Sequence, residues 1–426
     1  MIYIHIPFCK TFCTYCDFYS ETCISTEDIN AFEAAIVEEI RYRKSELLEN
    51  AKKSENTLYI GGGTPSVLPP SVYKTILNEF RNIGLDTNFT EFTLEVNPED
   101  IVIGGDAYVR EILTQGVNRI SMGIQSFDDS ILKWMNRRHN AKTAEDAFAI
   151  LRRSGVENIS IDLIFGLSQL SSEQWRATIQ HALSICHPQT AQQTTPEHIS
   201  AYQLSIESGS ALAQMVCRNK YKEADSDVCA RQYSILCEEL RLRGYNHYEI
   251  SNFAKEGYQA RHNSAYWNHS EYVGLGPGAH SFKIVPHSVN PSHPNSLSPD
   301  SSSASTTSEF SASKYYRSWN KDSLKSYITA AKNKDFILIV ESECLDQEQI
   351  GIEKLMLGLR TSKGLSMSEI EQLLYRRNLN APVLNKQEFD RFIKNGTLIE
   401  TLDNHIRIPE TSLFISDAII RDLLMG

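Results

Sequence analysis

Short apolar runs punctuate the first half of the chain, and apolar stripes of helical spacing fall between them. The runs at 2–6, 57–60, 91–96, 118–124, 159–164 and 199–204 are β-branched or apolar and predict strands. Segments 73–81, 108–114, 143–153 and 172–184 carry apolar residues on one helical face. Ser25-x-x-Asp28 resembles a capping box and predicts a helix running through Glu49. Six strand–helix units at these intervals predict an α/β fold with parallel strands joined by helical crossovers. Spacing alone leaves a doubly wound sheet and a barrel both open. Either one puts a ligand site at the C-terminal ends of the strands.

Beyond residue 210 the pattern changes. Residues 215–255 read as helical and then irregular, with 227–243 the clearest helix. The stretch from about 284 to 313 is rich in Ser, Pro and Asn, centred on Ser301-Ser302-Ser303-Ala304-Ser305-Thr306-Thr307-Ser308. Such a composition buries too little apolar surface to offset its ordering entropy, so a disordered insertion is expected. From Tyr315 the pattern reads as helical again. Helices at 349–359, 366–376 and 386–395 precede two short strands, 398–401 and 405–408, around Asp403-Asn404. That order resembles a small winged-helix-like domain. It carries no basic surplus, which argues against DNA binding.

The length of 426 residues suggests two or three domains. A 41% hydrophobic and 22% charged composition is that of a globular protein with a sizeable core. A net charge of −11 disfavours nucleic acid and anionic lipid as general partners. No apolar run approaches the roughly 20 residues of a membrane span. The opening residues, Met1-Ile2-Tyr3-Ile4-His5-Ile6-Pro7-Phe8-Cys9, read as a strand entering a site, with no signal or transit pattern. A cytoplasmic location is expected, or a mitochondrial or plastid one if the N-terminus is incomplete.

Of nine cysteines, three crowd into residues 9–16 and the rest scatter. That is a reducing-compartment pattern with one cysteine-based metal site. Cys23, Cys186, Cys217, Cys229, Cys237 and Cys344 are expected to pack as small buried hydrophobes. Cys9-x3-Cys13-x2-Cys16 lies on one loop just past a strand end. Short spacings let one loop wrap one thiolate-loving centre. Three local ligands leave one corner of an iron–sulfur cube open. A structural zinc would need His5, Asp17 or Cys23 as a fourth ligand. Phe8, Phe12, Tyr15 and Phe18 interleave with the thiols and are expected to shield the centre from water.

Cys-x3-Cys-x2-Cys after a first strand resembles the signature of the radical S-adenosylmethionine (SAM) superfamily. Tyr3-Ile4-His5-Ile6-Pro7-Phe8-Cys9 is similar to the subgroup of oxygen-independent coproporphyrinogen III dehydrogenases and HemW-type heme chaperones. The resemblance implies a partial (β/α)6 barrel over 1–240 and a connecting segment over 241–283. A Ser-rich insertion over 284–314 and a smaller, mostly helical, winged-helix-like domain over 315–426 follow. It implies a [4Fe–4S] cluster on Cys9, Cys13 and Cys16, with SAM on the open iron.

Other residues follow from position and resemblance together. Gly61-Gly62-Gly63-Thr64-Pro65 follows strand two, where glycines let backbone N–H groups approach a ligand, or simply make a tight turn. The resemblance assigns Gly62, Gly63 and Thr64 to SAM. Glu95 and Gln125 end strands three and four, and a carboxylate there points toward the common site. Asp162, inside an apolar strand, needs a partner, for which Arg137 is available. All four match SAM-contacting positions of the family, and Tyr3 and Tyr202 match further ones.

Two places separate the subgroups. The dehydrogenases carry a fourth cysteine two residues after the third, where this chain has Phe18 in Cys16-Asp17-Phe18. His262-Asn263-Ser264-Ala265-Tyr266-Trp267 resembles the HNxxYW motif of HemW proteins, linked there to heme. Imidazole is an axial ligand for heme iron, and Tyr266 and Trp267 offer flat faces to a macrocycle. A core histidine under an aromatic cluster is the competing reading of His262, and His280 is a rival ligand. The resemblance therefore implies binding of cluster, SAM and heme, with delivery of heme to an acceptor hemoprotein and an electron donor for the cluster. Oxidative decarboxylation of coproporphyrinogen III is the alternative, which Phe18 and the hexad disfavour. A zinc-stabilised α/β binding protein is the third.

Overall fold

Six parallel strands build the body of the molecule in chain order: β1 (Ile2–Ile6), β2 (Thr57–Gly62), β3 (Glu91–Val96), β4 (Arg119–Gln125), β5 (Ile159–Phe165) and β6 (His198–Gln203). The computed structural model describes residues 1–22, 24–185, 195–286, 313–374 and 383–424. Each strand pairs in parallel with the next, from Ile2 opposite Leu58 to Phe165 opposite Gln203. Ile4, Leu94, Ile120 and Ile161 are fully buried, as strands covered on both faces must be. The expected strands therefore form within a residue or two of their predicted ends.

Three more strands extend the same sheet. β9 (Val273–Leu275) adds in parallel to β1, while the hairpin β7 (Asn246–Glu249) and β8 (Asn252–Ala254) adds antiparallel to β6. The full order is β7-β8-β6-β5-β4-β3-β2-β1-β9. The stretch expected to be irregular after residue 243 is thus sheet. Its strands were too short for a period of two to register.

Helical crossovers cover the sheet. The capping box forms, with Ser25 Oγ accepting from Asp28 N at 3.1 Å and Asp28 Oδ2 accepting from Ser25 N at 3.0 Å. The helix it opens ends at Tyr42 instead of running through residue 49; Arg43 leaves helical geometry and a second helix spans Lys44–Asn50. The Arg43 guanidinium there donates to the Gly274 carbonyl and to Ser281 Oγ, fastening β9 and the following strand. Helix Pro98–Thr114 starts ten residues before its predicted N-terminus. A break at Gly105 (φ 57°, ψ −163°) interrupts its apolar stripe and hid the first turns.

Past the main sheet, β10 (His280–Pro286), β11 (Ser313–Asn320) and β12 (Val340–Leu345) form an antiparallel sheet. The expectation that the chain turns helical at Tyr315 is corrected: Tyr315 is strand, paired with Ile284 and Leu345. The Ser-rich segment lies between β10 and β11. Its residues 287–312 fall outside the described residues, and its predicted ends at 284–286 and 313 are strand. Helices Gln347–Leu359, Met367–Leu374 and Lys386–Asn395 follow, with a small sheet in the order β13 (Leu365–Ser366), β15 (His405–Arg407), β14 (Ile399–Glu400). Residues 375 and 376 of the predicted helix 366–376 lie outside the described residues. Helix Ser416–Leu424 closes this part against helix Gln347–Leu359.

Candidate functional site

The cysteine loop leaves β1 and is stitched to its neighbours by backbone groups. Cys9 N donates to Glu21 O (2.9 Å), Thr14 N to Met135 O (3.1 Å) and Leu212 N to Thr14 O (2.8 Å). Phe8 is fully buried with its ring edge-on to Phe32 at 5.4 Å. Only Phe8 and Tyr15 of the four loop aromatics turn inward. Phe12 and Phe18 are 55% and 71% exposed, so the expectation that all four shield the centre is corrected.

The loop forms the mouth of a cavity of 650 Å³ at the C-terminal ends of the strands, within the size range of small-molecule sites. Cys9, Cys13 and Cys16 line it, together with Gly62, Gly63, Thr64, Glu95, Gln125, Arg137, Asp162, Tyr202 and Asn263. His5, offered as a zinc ligand, has both nitrogens engaged, with Tyr3 Oη (3.0 Å) and the Tyr19 carbonyl (2.8 Å). Cys23 lies outside the described residues. Burial raises the Cys9 thiol and pushes Cys16 up to about 11. Both are protonated at neutral pH, so a metal centre on them displaces protons.

Glycines bring β2 against this loop. A Cβ on Gly63 would stand 2.6 Å from the Phe8 carbonyl oxygen, and Gly62 has φ 107° with the His5 ring where a Cβ would be. Gly63 N donates to Ile6 O (2.8 Å), Thr64 N to Phe8 O (2.7 Å) and Gly62 N to Glu95 Oε2 (3.2 Å). These N–H groups are thus already partnered within the protein. The glycine run acts through close approach of two backbones, not as a row of free donors. Thr64 Oγ1 lies 3.2 Å from Cys9 Sγ.

Deeper in the cavity sit two carboxyls. Glu95 accepts from Tyr59 Oη (2.6 Å), and burial pushes it up to about 7 against that bond. Asp162 accepts weakly from Ser121 Oγ (3.3 Å); burial lifts it to about 6, opposed by hydrogen bonding to Ser200. Arg137 acts on it only at longer range, as Arg119 does, with no direct ion pair: it donates to Gly123 O (2.6 Å) and lies 3.4 Å from Cys13 Sγ. Gln125 takes a left-handed conformation (φ 71°) at the irregularity in the β4–β5 pairing. Tyr202 is 43% exposed at the rim. Tyr3 does not reach the cavity lining and bonds to His5 behind it. Tyr59, Arg119, Ser121 and Ser200 line the cavity and were missed. A polar residue between apolar neighbours on a buried strand, as in Leu58-Tyr59-Ile60, was the signal available.

Helix Arg261–Trp267 carries the hexad. Its Asn263 reaches the cavity, while Tyr266 lines a second pocket of 290 Å³ with His269, Tyr272, Phe282, Arg317 and Met356. His262 is buried with both ring nitrogens occupied, by Thr57 Oγ1 (2.8 Å) and Tyr266 Oη (3.1 Å). It is a satisfied core histidine in this conformation. Trp267 is half-buried and lines neither pocket, and His280 is exposed, stacked on Trp319. Of the scattered cysteines, Cys229 is buried, Cys237 half-buried, and Cys217 and Cys344 exposed, which corrects the expectation for the last two. Cys186 lies outside the described residues.

Residues 3–182 match the sequence model of the Radical SAM superfamily. The heme chaperone HemW of Bacillus subtilis is 30% identical over 380 residues, covering 89% of this chain and 87% of that protein. The HemW of Lactococcus lactis is 33% identical over 281 residues, covering 66% and 69%.

The chain belongs to the HemW family of radical SAM proteins.

An animal protein is similar as well: the zebrafish "Radical S-adenosyl methionine domain-containing protein 1, mitochondrial" is 31% identical, covering 67% of this chain and 61% of that protein. Among solved structures, the Escherichia coli coproporphyrinogen III oxidase (HemN) superposes with a TM-score of 0.73 at 18% identity, covering all of this chain and 89% of that one. That likeness establishes the fold, a radical SAM barrel with a smaller C-terminal part. No helix among the described residues is long and apolar enough to cross a membrane.

Proposed function

We propose that this protein is a heme chaperone that binds a [4Fe–4S] cluster, SAM and heme, and delivers heme to acceptor hemoproteins in the cytoplasm or in an organelle. One observation carries the reading: the helix holding the HNxxYW hexad spans two cavities, with Asn263 toward the cysteine-mouthed one and Tyr266 toward the other. Cys9, Cys13 and Cys16 hold the cluster, whose bound form supplies one-electron chemistry toward SAM. Gly62, Gly63 and Thr64 shape the cavity beside it, and Glu95, Gln125, Arg137, Asp162 and Tyr202 contact SAM. The charge pattern suits a cationic sulfonium, because two buried carboxyls face it.

One edge of heme seats in the second pocket, whose 290 Å³ takes part of the macrocycle and leaves the rest outside it. Tyr266, Tyr272 and Phe282 give aromatic walls and Met356 a soft contact, while Arg317 and Arg360 in the lining are already paired, with Glu343 and Glu353 and with Asp417, so a propionate would have to exchange for those carboxylates. The resemblance assigns His262 to heme, yet its nitrogens are used inside the fold. His269 in the pocket wall keeps a buried Nδ1 without a partner, while its Nε2 bonds to Glu353 (3.0 Å). His262 then acts by holding Tyr266, and His269 is the better placed imidazole for iron.

Anaerobic titration of the cluster-reconstituted protein with heme tests this. A saturable Soret shift is expected, weakened at least tenfold in Tyr266→Ala and His269→Ala with iron–sulfur content unchanged. Incubation with coproporphyrinogen III, SAM and a reductant should yield no protoporphyrinogen. Its formation, or the absence of heme binding, would overturn the chaperone reading. The lack of a cysteine at Phe18 supports that expectation.

A further inference from the structure

Far from the SAM cavity, three side chains from distant parts of the chain converge at the edge of the main sheet. Cys237 comes from helix Ser226–Leu242, His247 from β7, and Glu410 from the short 3-10 helix Glu410–Ile415. Their donor atoms all lie within 4.8 Å of one another. His247 Nδ1 is 3.2 Å from Glu410 Oε1 and 4.0 Å from Cys237 Sγ. A tetrahedral zinc ion sets thiolate, imidazole and carboxylate donors about 3.4–3.6 Å apart.

The hydrogen inventory sharpens the point. Tyr233 Oη donates its only proton to the Ile250 carbonyl (2.7 Å). His247 Nε2 faces that same carbonyl (3.4 Å) and Tyr233 Oη (3.2 Å), both acceptors toward it. Nε2 therefore carries the hydrogen, and in the neutral ring Nδ1 presents a lone pair to a carboxylate oxygen and a sulfur. Either a proton on Nδ1, giving an imidazolium–carboxylate pair, or a metal ion between the three donors satisfies lone pairs converging in this way. A ring N–H held by a carbonyl or hydroxyl is also how metal-ligating histidines are oriented. The imidazole is clamped flat on Phe253, ring centroids 4.1 Å apart at 16°. Its side chain is 5% exposed, while that of Glu410 is 38% exposed, so an ion can enter from the Glu410 side.

We propose that Cys237, His247 and Glu410 form a zinc-type site, with water as the fourth ligand, that clasps the C-terminal part to the sheet edge. Binding forms Zn–S, Zn–N and Zn–O bonds and releases the Cys237 thiol proton to solvent. The electron count is unchanged and no oxidant is needed. Glu410 follows β15, so the ion joins the hairpin β7–β8 to a segment over 150 residues later in the chain. Phe414 packs against Tyr233 beside it, at 5.3 Å between centroids.

The test must keep the N-terminal cysteines from binding zinc. The full chain is examined with its cluster reconstituted, and in parallel as a Cys9→Ser, Cys13→Ser, Cys16→Ser variant. Both should retain about one zinc equivalent after gel filtration. Cobalt substituted for zinc should give a thiolate charge-transfer band. Cys237→Ala should abolish that band, and Glu410→Gln should weaken zinc affinity at least tenfold, while Cys217→Ala changes neither. Zinc should raise the thermal midpoint of the parent and not of Cys237→Ala, whose circular dichroism should match the parent's. Zinc-free protein that gains no zinc on titration would overturn the proposal, leaving a plain imidazole–carboxylate contact. So would equal zinc binding by parent and Cys237→Ala.

Discussion

Gly63 follows β2 and packs against the chain that leaves β1 for the cysteine loop, and a single methyl group there meets backbone, not a movable side chain. The added Cβ would lie 2.6 Å from the Phe8 carbonyl oxygen, so either β2 or the loop must shift. Gly63→Ala should keep the fold and lose most cluster occupancy, read as iron and sulfide per chain after anaerobic reconstitution. Glu95 makes a prediction in pH. Burial raises its pKa from 4.5 to about 7, so the fold binds its proton more tightly than the unfolded chain does. Its contribution to stability is present below about pH 4.5 and is lost as pH rises toward 7. Glu95→Gln should remove that loss, making the ligand-free protein roughly 1–3 kcal/mol more stable than the parent at pH 8 and no more stable at pH 4. Urea melts at the two pH values measure it. An unchanged difference between them would show that the carboxyl ionises freely in the fold.

At the scale of elements, the first helix shows how a local signal and a tertiary constraint divide the work. The reciprocal bonds of Ser25 and Asp28 set its start. Its end is set by Arg43, which leaves the helix to reach Gly274 and Ser281. Ser25→Ala should therefore cost about 1 kcal/mol in chemical denaturation, the usual worth of an N-cap, without altering the site. Helix Arg261–Trp267 illustrates the opposite case. A seven-residue helix has little intrinsic stability. It is held because Glu91 accepts from Arg261 N (2.7 Å) and His262 N (2.9 Å), and because His262 is locked under Tyr266.

For the whole molecule, one buried carboxylate gathers polar groups of the C-terminal part onto the first helix, beside an apolar core the two parts share. Glu39, fully buried on the first helix, accepts from Gly276 N (2.8 Å), Asn320 Nδ2 (2.9 Å) and Tyr327 Oη (2.7 Å), and lies 3.4 Å from Arg43 Nη1. Three segments of distant sequence, at Gly276, Asn320 and Tyr327, converge on it. Glu39→Leu leaves the buried Gly276 N–H and Tyr327 hydroxyl without their acceptor and takes one partner each from Asn320 and Arg43, which should cost about 3–5 kcal/mol and separate the unfolding of the two parts. Denaturation followed at separate probes would read out that loss of cooperativity.

Strand positions, crossover helices and the cysteine loop were legible in the chain because each is encoded within a few neighbouring residues; the order of the strands was not, since spacing fits a doubly wound sheet and a barrel alike. Apolar runs mark buried strands, Ser25-x-x-Asp28 marks a cap, and three thiols in eight residues can only share a loop. The strand at Tyr315 was not legible, because its partners are Ile284 and Leu345, and pairing energy comes from the partner. The outward turn of Phe12 and Phe18, the inward engagement of His262 and the true partners of Asp162 depend on what surrounds each side chain. Residue type and spacing determine which chemistry is available. Only the packed structure decides which lone pairs and protons are left over, because a neighbour far away in the chain can claim them first.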